Sequence, residues 1–487
     1  MKISKILQRS TMCLALFAVV VFGFAACGGL GKLSDNPATT DTVYGNGGIA
    51  VQKGDYLYFT NGYIDTSDVG TTNEYGKVEQ SAIYRVKLNQ GKVTEKNVEY
   101  DDEGVKKTDK KQELNDLEII VPKVAGFEYS NLFIFGDYIY YTTPNHLKDG
   151  DLKVMSSYLH FYRARLDRSG GIDLIYDSKA ENTKVTMTMY QIGDTVYQLV
   201  KDDTKVVLTT IKGNSREQKV LTEKATSVAM PKYTNSTDIV ATIDHKIYFT
   251  ETLENEANSS VTGTVLKAFD LNTKETATIL SEENATYSIK GTSGEYLYYT
   301  KEISANPSQA PYVYALDNTL SASSETQISA LPVSTSDSYT SKISSYTLVA
   351  SEYAKSICYY DGTNTYFKQA NEAPIKIASS DVISKLVSIQ GDKLYYIADS
   401  TLKSINYTTA NSEASTMVPS ANTPKSDIVN NFDVGNNMIF YFVKYNEHYY
   451  MHYANYSVTD EDGSTPYYHF IGKLLEADYL ETDAKNE

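Results

Sequence analysis

Short apolar runs, each closed by a polar turn, recur along the whole chain. The plainest is GDYIYYT, Gly136 to Thr142. Near copies are GDYLYFT (Gly54 to Thr60), DHKIYFT (Asp244 to Thr250), SGEYLYYT (Ser293 to Thr300) and GDKLYYI (Gly391 to Ile397). Weaker versions begin at Gly193 (GDTVYQLV) and Gly435 (GNNMIFYFV), and SICYYD, Ser356 to Asp361, falls between Gly294 and Gly391. Runs of this length, rich in aromatic and β-branched residues and bounded by Gly and Asp, predict strands. The Gly-Asp pairs predict hairpin turns.

Each repeat unit reads as four strands. In the second these are NLFIF (Asn131 to Phe135), YIYYT, HFYRARL (His160 to Leu166) and, after the turn DRSGG, IDLIYDS (Ile172 to Ser178). The fourth unit repeats the plan with IVATI, KIYFT, VLKAFDL and TATIL, and the seventh with KLVSIQ, KLYYIA, TLKSIN and EASTMV. Four antiparallel strands recurring at roughly 40 to 50 residues predict the blades of a β-propeller. A lone four-stranded sheet cannot bury both faces, whereas a ring of them can. The fold expected is therefore all-β, a propeller of eight four-stranded antiparallel blades, with seven as the alternative. The Tyr rings are expected to pack blade against blade.

The N-terminus departs from this pattern. Lys2, Lys5 and Arg9 precede an uncharged stretch, Met12 to Ala26, that is too short for a membrane span and has the layout of an export signal over residues 1–26. Residues 27–42 begin GGLGKLSDNPATTDT after Cys27 and are polar and aperiodic, which predicts a flexible tether. The propeller is expected over residues 43–472, with a charged insertion at about 98–118 that reads as a solvated loop, and residues 473–487 as a C-terminal tail with a short helix.

Composition refines the picture. The 487 residues include 42 Tyr and no Trp. Tyr suits a half-buried pleated surface. The absence of Trp sets the chain apart from repeats that dock blades through Trp. The formal net charge of −16 becomes −19 once the signal and its three cations are removed, and this disfavours binding to a phosphate backbone. Of the cysteines, Cys13 lies in the signal and Cys27 at its end, so Cys358 is left without a disulfide partner in the mature chain and is expected to be a buried, inert thiol.

FAAC, Phe24 to Cys27, resembles the lipobox of bacterial lipoproteins, with Ala25 and Ala26 as the small residues and Phe24 where Leu is usual. The resemblance implies lipidation of Cys27, a lipid anchor in the membrane and a place in the bacterial cell envelope. GDYIYYT followed by FYRARLDRSGG resembles bacterial lipoproteins whose propellers look like those of low-density-lipoprotein receptors. Tyr140-Tyr141-Thr142 and Tyr298-Tyr299-Thr300 stand where that blade motif has Tyr-Trp-Thr, and Thr143 and Lys301 replace the following Asp. The resemblance implies a fold and an address rather than an activity.

Chemistry is sparse. His448 and His452 are four apart, but EHYYMHYANYS reads as a strand, on which such positions stand about 13 Å apart. DEDGS, Asp460 to Ser464, has Ile471 where a calcium loop needs its last carboxylate. No nucleophile elbow, phosphate loop or dinucleotide fingerprint occurs. No catalytic, cofactor or metal site is therefore expected. The function expected is binding of a protein, peptide or glycan. A carbohydrate-active lyase or hydrolase at the channel mouth and an envelope assembly scaffold are the alternatives.

Overall fold

The computed structural model describes residues 33, 35–61, 81–87, 117–124, 131–144, 158–230, 233–235, 238–239, 245–253, 263–293, 296–303, 311–317, 319–329, 331–333, 342–343, 345–348, 356–369, 372–378, 385–390, 392–398, 401–409, 412–418, 428–435, 438–445, 448–455 and 468–470. These form an all-β propeller ring. Sheet 1 contains β1 (Val43–Tyr44), β2 (Ala50–Lys53), β3 (Tyr56–Asn61), β4 (Ser81–Lys87) and β5 (Glu118–Val124). Sheet 2 contains β6 (Phe133–Phe135), β7 (Tyr138–Pro144), β8 (Leu159–Arg165) and β9 (Asp173–Asp177). Sheet 3 contains β10 (Val185–Ile192), β11 (Thr195–Asp202), β12 (Lys205–Lys212) and β13 (Ser215–Thr222).

Sheet 4 is β14 (Ala225–Val228) with β17 (Lys246–Thr252), β18 (Thr264–Asp270) and β19 (Thr276–Leu280), and a small hairpin of β15 (Tyr233–Asn235) and β16 (Asp238–Ile239) is inserted after β14. Sheet 5 is β20 (Ala285–Ser293), β21 (Tyr296–Ile303), β22 (Tyr312–Leu316) and β23 (Thr326–Gln327). Sheet 6 is β24 (Ser345–Leu348), β25 (Ser356–Tyr360), β26 (Thr365–Gln369) and β27 (Ile375–Ala378). Sheet 7 is β28 (Lys385–Gln390), β29 (Lys393–Ala398), β30 (Thr401–Asn406) and β31 (Ser415–Val418). Sheet 8 is β32 (Ile428–Gly435), β33 (Met438–Tyr445), β34 (His448–Asn455) and β35 (Tyr468–Phe470).

All strand pairs within these sheets are antiparallel, so eight repeat units resolve into seven regular four-stranded blades and one five-stranded sheet. The extra strand is β1, which pairs Val43 with Lys53 and Tyr44 with Gln52 on the inner side of sheet 1. The second and seventh units follow the strands expected of them. The fourth differs: its first strand is β14, whereas Ile239 of IVATI belongs to the inserted hairpin and residues 240–244 lie outside the described residues. The apolar run there attracted the strand assignment, but the less apolar ATSV supplies the pairing edge through Val228 and Phe249. The hairpin leaves sheet 4 and adjoins β28 of sheet 7. The signal, Cys27, DEDGS and the tail 473–487 lie outside the described residues, as does the charged insertion up to Asp116, while Glu118 already opens β5.

The recurring motif is explained by period two. In β7, Ile139 and Tyr141 pack with sheet 1, and Tyr138 and Tyr140 with sheet 3. In β3, Tyr56 and Tyr58 face sheet 2, while Leu57 and Phe59 face sheet 8, where Phe440 and Met451 meet them. In β21, Leu297 and Tyr299 face sheet 4 and Tyr298 faces sheet 6. In these sheets the second strand is thus covered on both sides, which is why it reads as one continuous apolar run. The Gly before it is also explained. Gly54, Gly136 and Gly193 have φ of +55°, +57° and +61°, at the first turn position, where side chains are disfavoured.

The ring closes without strand exchange. Sheet 8 is built wholly from residues 428–470 and meets sheet 1 face to face. One hydrogen bond crosses that junction within a buried region, from the Met451 amide to Asn61 Oδ1 at 2.8 Å.

Sheet 1 is fastened by a buried arginine. Arg85 Nε donates to Glu118 Oε2 at 2.8 Å, and its guanidinium carbon lies 4.2 Å from the Tyr56 ring centroid. Its remaining donors reach Asn36 Oδ1 at 3.0 Å and the Asp35 carbonyl. Arg163 repeats the design in sheet 2, bonding Asp173 at 2.9 Å and lying over Tyr138 at 4.4 Å. Its outer nitrogen takes the Gly213 carbonyl of sheet 3 at 2.9 Å. Removing a buried partner of this kind leaves the other charge and two carbonyl-type acceptors unmet. We expect Arg85→Ala to lower stability by about 3 kcal/mol, read as a fall in the urea midpoint at unchanged slope. Arg85→Lys should recover little of it, since an ammonium cannot reproduce the fork.

Candidate functional site

Antiparallel meanders sort the connections by end. The first-to-second and third-to-fourth hairpins lie at what we term the turn end, and the second-to-third and sheet-to-sheet connections at the opposite, connection end. Residues 62–80, 145–158, 253–263 and 304–311 make the second-to-third connections of sheets 1, 2, 4 and 5, whereas 203–204 and 399–400 do so in sheets 3 and 7. The long second-to-third connections thus lie at the connection end, to which β8 brings His160, whereas residues 88–117, between β4 and β5, connect at the turn end.

His160 is buried, at 6% exposure. Its Nε2 lies 3.2 Å from Asp177 Oδ1, which keeps the ring proton on that nitrogen. Nδ1 is then an acceptor, and the Tyr162 hydroxyl, 2.9 Å away, donates to it. Lys179 Nζ holds the other Asp177 oxygen at 2.7 Å. Register explains the assembly: His160 pairs with Asp177 across β8 and β9, and Tyr162 is two residues along the same face. Burial, with the Asp177 charge adding to it, pushes the Tyr162 hydroxyl pKa up, so it stays protonated at neutral pH. Both imidazole nitrogens are engaged and the phenol proton points inward. The chain Tyr162–His160–Asp177 ties two strands together and presents no free nucleophile or base.

A second titratable cluster occupies sheet 5. Lys301 Nζ stands 2.9 Å from Glu282 and 3.7 Å from Glu325, and the Tyr299 hydroxyl donates to Glu325. Burial works against the Lys301 charge, and the two carboxylates more than offset it. Tyr287 is pushed up to about 12 by burial and rests edge-on against Tyr299 at 5.9 Å. Asp202, buried, accepts from the Tyr176 hydroxyl and from the Lys179 and Ala180 amides, each at 2.7 Å, and so fixes the link from sheet 2 to sheet 3. Spacing along the sequence does not indicate these clusters, because their members come from different strands and from the connections between them.

His448 and His452 lie on strand β34, opposite Tyr445 and Tyr441. Among the described residues no group of three His, Cys, Asp or Glu is placed to hold a metal ion. No helix among them is long and apolar enough to cross a membrane. Cys358 lies on β25, 4% exposed and packed with Phe367, Tyr396 and Tyr407, and burial pushes its thiol pKa far up. Expressed from Gly28, the chain has this one cysteine. Maleimide should leave it unlabelled in the native protein and add once per chain in denaturant; native labelling would contradict the burial.

Asp167 shows how turns are fixed. It accepts from the Ser169 amide at 2.8 Å and from Arg165 Nε at 3.2 Å. Burial alone would raise its carboxyl, but these bonds more than offset that and hold it at about 2. A depressed native pKa stabilises above the unfolded value, about 3.9, and that stability is lost as pH falls through about 2. Half-exposed and screened, the group contributes under about 1 kcal/mol. Asp167→Asn should therefore lower the melting temperature slightly at pH 7, with the gap closing towards pH 2.

No protein-family model matches the chain, and no curated protein matches it. Among solved structures it is similar to the β-propeller domain of the Trilobed protease from Pyrococcus furiosus, at 10% identity and TM-score 0.39 over 78% of this chain and 99% of that one. It is also similar to an oligogalacturonate lyase from Vibrio parahaemolyticus, at 11% identity and TM-score 0.41 over 68% and 88% of the two chains. A Pyrococcus horikoshii acylaminoacyl peptidase is similar at 9% identity and TM-score 0.39, over 86% of this chain and 58% of that one.

Proposed function

We propose that this chain is an extracytoplasmic propeller, lipid-anchored through Cys27, that binds a protein, peptide or glycan at its connection end. The observation that carries the binding reading is the length of the second-to-third connections 62–80, 145–158, 253–263 and 304–311, against two residues each in sheets 3 and 7. Loops held by a rigid scaffold are where binding residues concentrate. Their sequences include Tyr63, Tyr75, Asp65, Asp68 and His146, whereas the tyrosines of the repeats are consumed in packing. The lipobox-like FAAC and the export signal support the address. Among the described residues the titratable clusters an enzyme reading could use, Tyr162–His160–Asp177 and Lys301 with Glu282 and Glu325, have their groups engaged with one another.

The test is cross-linking capture from native membranes with protein expressed from Gly28, alongside a panel of cell-wall and exogenous glycans. We expect one partner in stoichiometric amount, lost when residues 62–80 and 145–157 are replaced by short Gly-Ser turns. Cleavage of a glycan or peptide that is abolished by His160→Ala would instead establish an enzyme and displace the binding reading.

A further inference from the structure

The stretch that reads as a free tether is docked from Leu33 onward. Leu33 is buried in the core between sheets 1 and 2. Asp35 accepts from the Tyr56 hydroxyl and pairs with Lys87 Nζ at 3.3 Å. The Tyr56 bond, with Lys87 assisting, holds the Asp35 carboxyl below its ordinary value. Asp35 and Asn36 together fill the outer donors of Arg85. In sheet 2 the equivalent donor of Arg163 takes a turn carbonyl of the next sheet, so residues 35–36 stand where a neighbouring blade would.

The strap then crosses to sheet 2. Thr39 donates to Asp137 Oδ1 at 2.6 Å. Lys53, 1% exposed, donates from Nζ to the Thr39 carbonyl at 2.9 Å and to the Gly136 carbonyl at 3.0 Å. Asp41 accepts from the Ala38 amide at 2.7 Å and sits where a Cβ on Gly54 would fall, 2.7 Å from its Oδ2. The Gly54 amide donates to the Thr42 carbonyl at 3.2 Å. Asn46 continues the stitch, donating to the Ile134 carbonyl at 3.0 Å and accepting from the Ile134 amide at 2.6 Å.

Between Asp35 and Thr42 these contacts fall at one end of the ring. Tyr56 opens β3, Lys53 closes β2, Lys87 closes β4, and Gly54 and Gly136–Asp137 are the hairpin turns themselves. We infer that the turn end faces the membrane and the connection end faces away from it. This rests on the lipid-anchor reading above. Six residue steps separate Cys27 from Leu33. At about 3.5 Å per step they reach about 20 Å, so the anchor cannot pass around the ring to let the other end approach the lipid. The turn end thus lies at short range from the bilayer surface. Of the acids on its turns, Asp137 lies 3.8 Å from Arg165 and Asp194 2.9 Å from Lys212, so they are partly offset by neighbouring cations.

The full chain, exported and lipidated in a bacterial host, is placed in phosphatidylethanolamine–phosphatidylglycerol vesicles that carry an acceptor-labelled lipid. A donor dye is attached at Asp194→Cys, at the turn end of sheet 3, or at Thr204→Cys, at its connection end. The strand between them, Thr195–Asp202, is eight residues, about 27 Å long. Cys358 is buried and Cys27 acylated, so each variant takes one dye. We expect energy transfer at 194 to exceed that at 204 several-fold, and the difference to fall when ten Gly-Ser residues are inserted after Gly29. Equal transfer, or stronger transfer from 204, overturns the orientation while leaving the anchor intact. An N-terminal peptide without acyl mass, or protein that does not float with vesicles, overturns the anchor reading itself and the orientation with it.

Discussion

Everything in this fold depends on the second strand of each blade being covered on both faces. A four-stranded sheet with one wet face would need alternating polar residues there; these strands have none to spare. Ile139 and Tyr141 meet one neighbour and Tyr138 and Tyr140 the other, and the same division holds in β3 and β21. Each fully buried aromatic or branched side chain contributes about 2 kcal/mol, against 0 to about 1 for an exposed ion pair. Inter-blade burial therefore dominates, and the ring can close through Leu57, Phe59, Phe440 and Met451 without exchanging a strand. Some of the buried tyrosines end at a carboxylate, as Tyr299 does at Glu325 and Tyr176 at Asp202.

Polar groups refine what burial sets up. Arg85 and Arg163 sit at matching positions, each opposite a motif tyrosine and beside an acid on the outer strand. Both use the guanidinium face on Tyr and its edge on a carboxylate, which leaves one donor to capture whatever lies alongside. For Arg163 that is the next blade. For Arg85 it is the chain's own N-terminal strap. The strap and Asn46 thus add polar links to the junction of sheets 1 and 2, while the closure between sheets 8 and 1 rests on side-chain packing and the Met451–Asn61 bond.

The architecture was legible because period-two burial writes itself into sequence. The seventh unit's strands KLVSIQ, KLYYIA and TLKSIN are found at their expected bounds. Where legibility failed, the pairing edge was short or polar. ATSV forms β14 because β17 offers it partners, not because its own pattern is strong, and Ile239 of the more apolar IVATI belongs to the inserted hairpin instead. Within the stretch that reads as a tether, residues 35–42 are docked for a related reason. LSDNPATTD has no apolar period, and what docks it is Arg85, Lys53 and a turn on other strands. Aperiodic sequence signals the absence of regular structure, not the absence of binding.

The candidate site followed the same logic. Tyr162, His160 and Asp177 are joined by the register of β8 and β9, information that no spacing along the chain contains. Their geometry also limits them: a histidine with both nitrogens engaged and a tyrosine kept protonated can hold strands but has no proton acceptor to offer. The residues that repeat are thus committed to building the ring, and those that could distinguish this propeller from another lie in the connections that do not repeat. A fold selected for blade packing fixes the position of those connections and leaves their composition free. This is why the repeats identify the architecture clearly, while connections such as 62–80 and 145–158 carry sequence that the fold does not dictate.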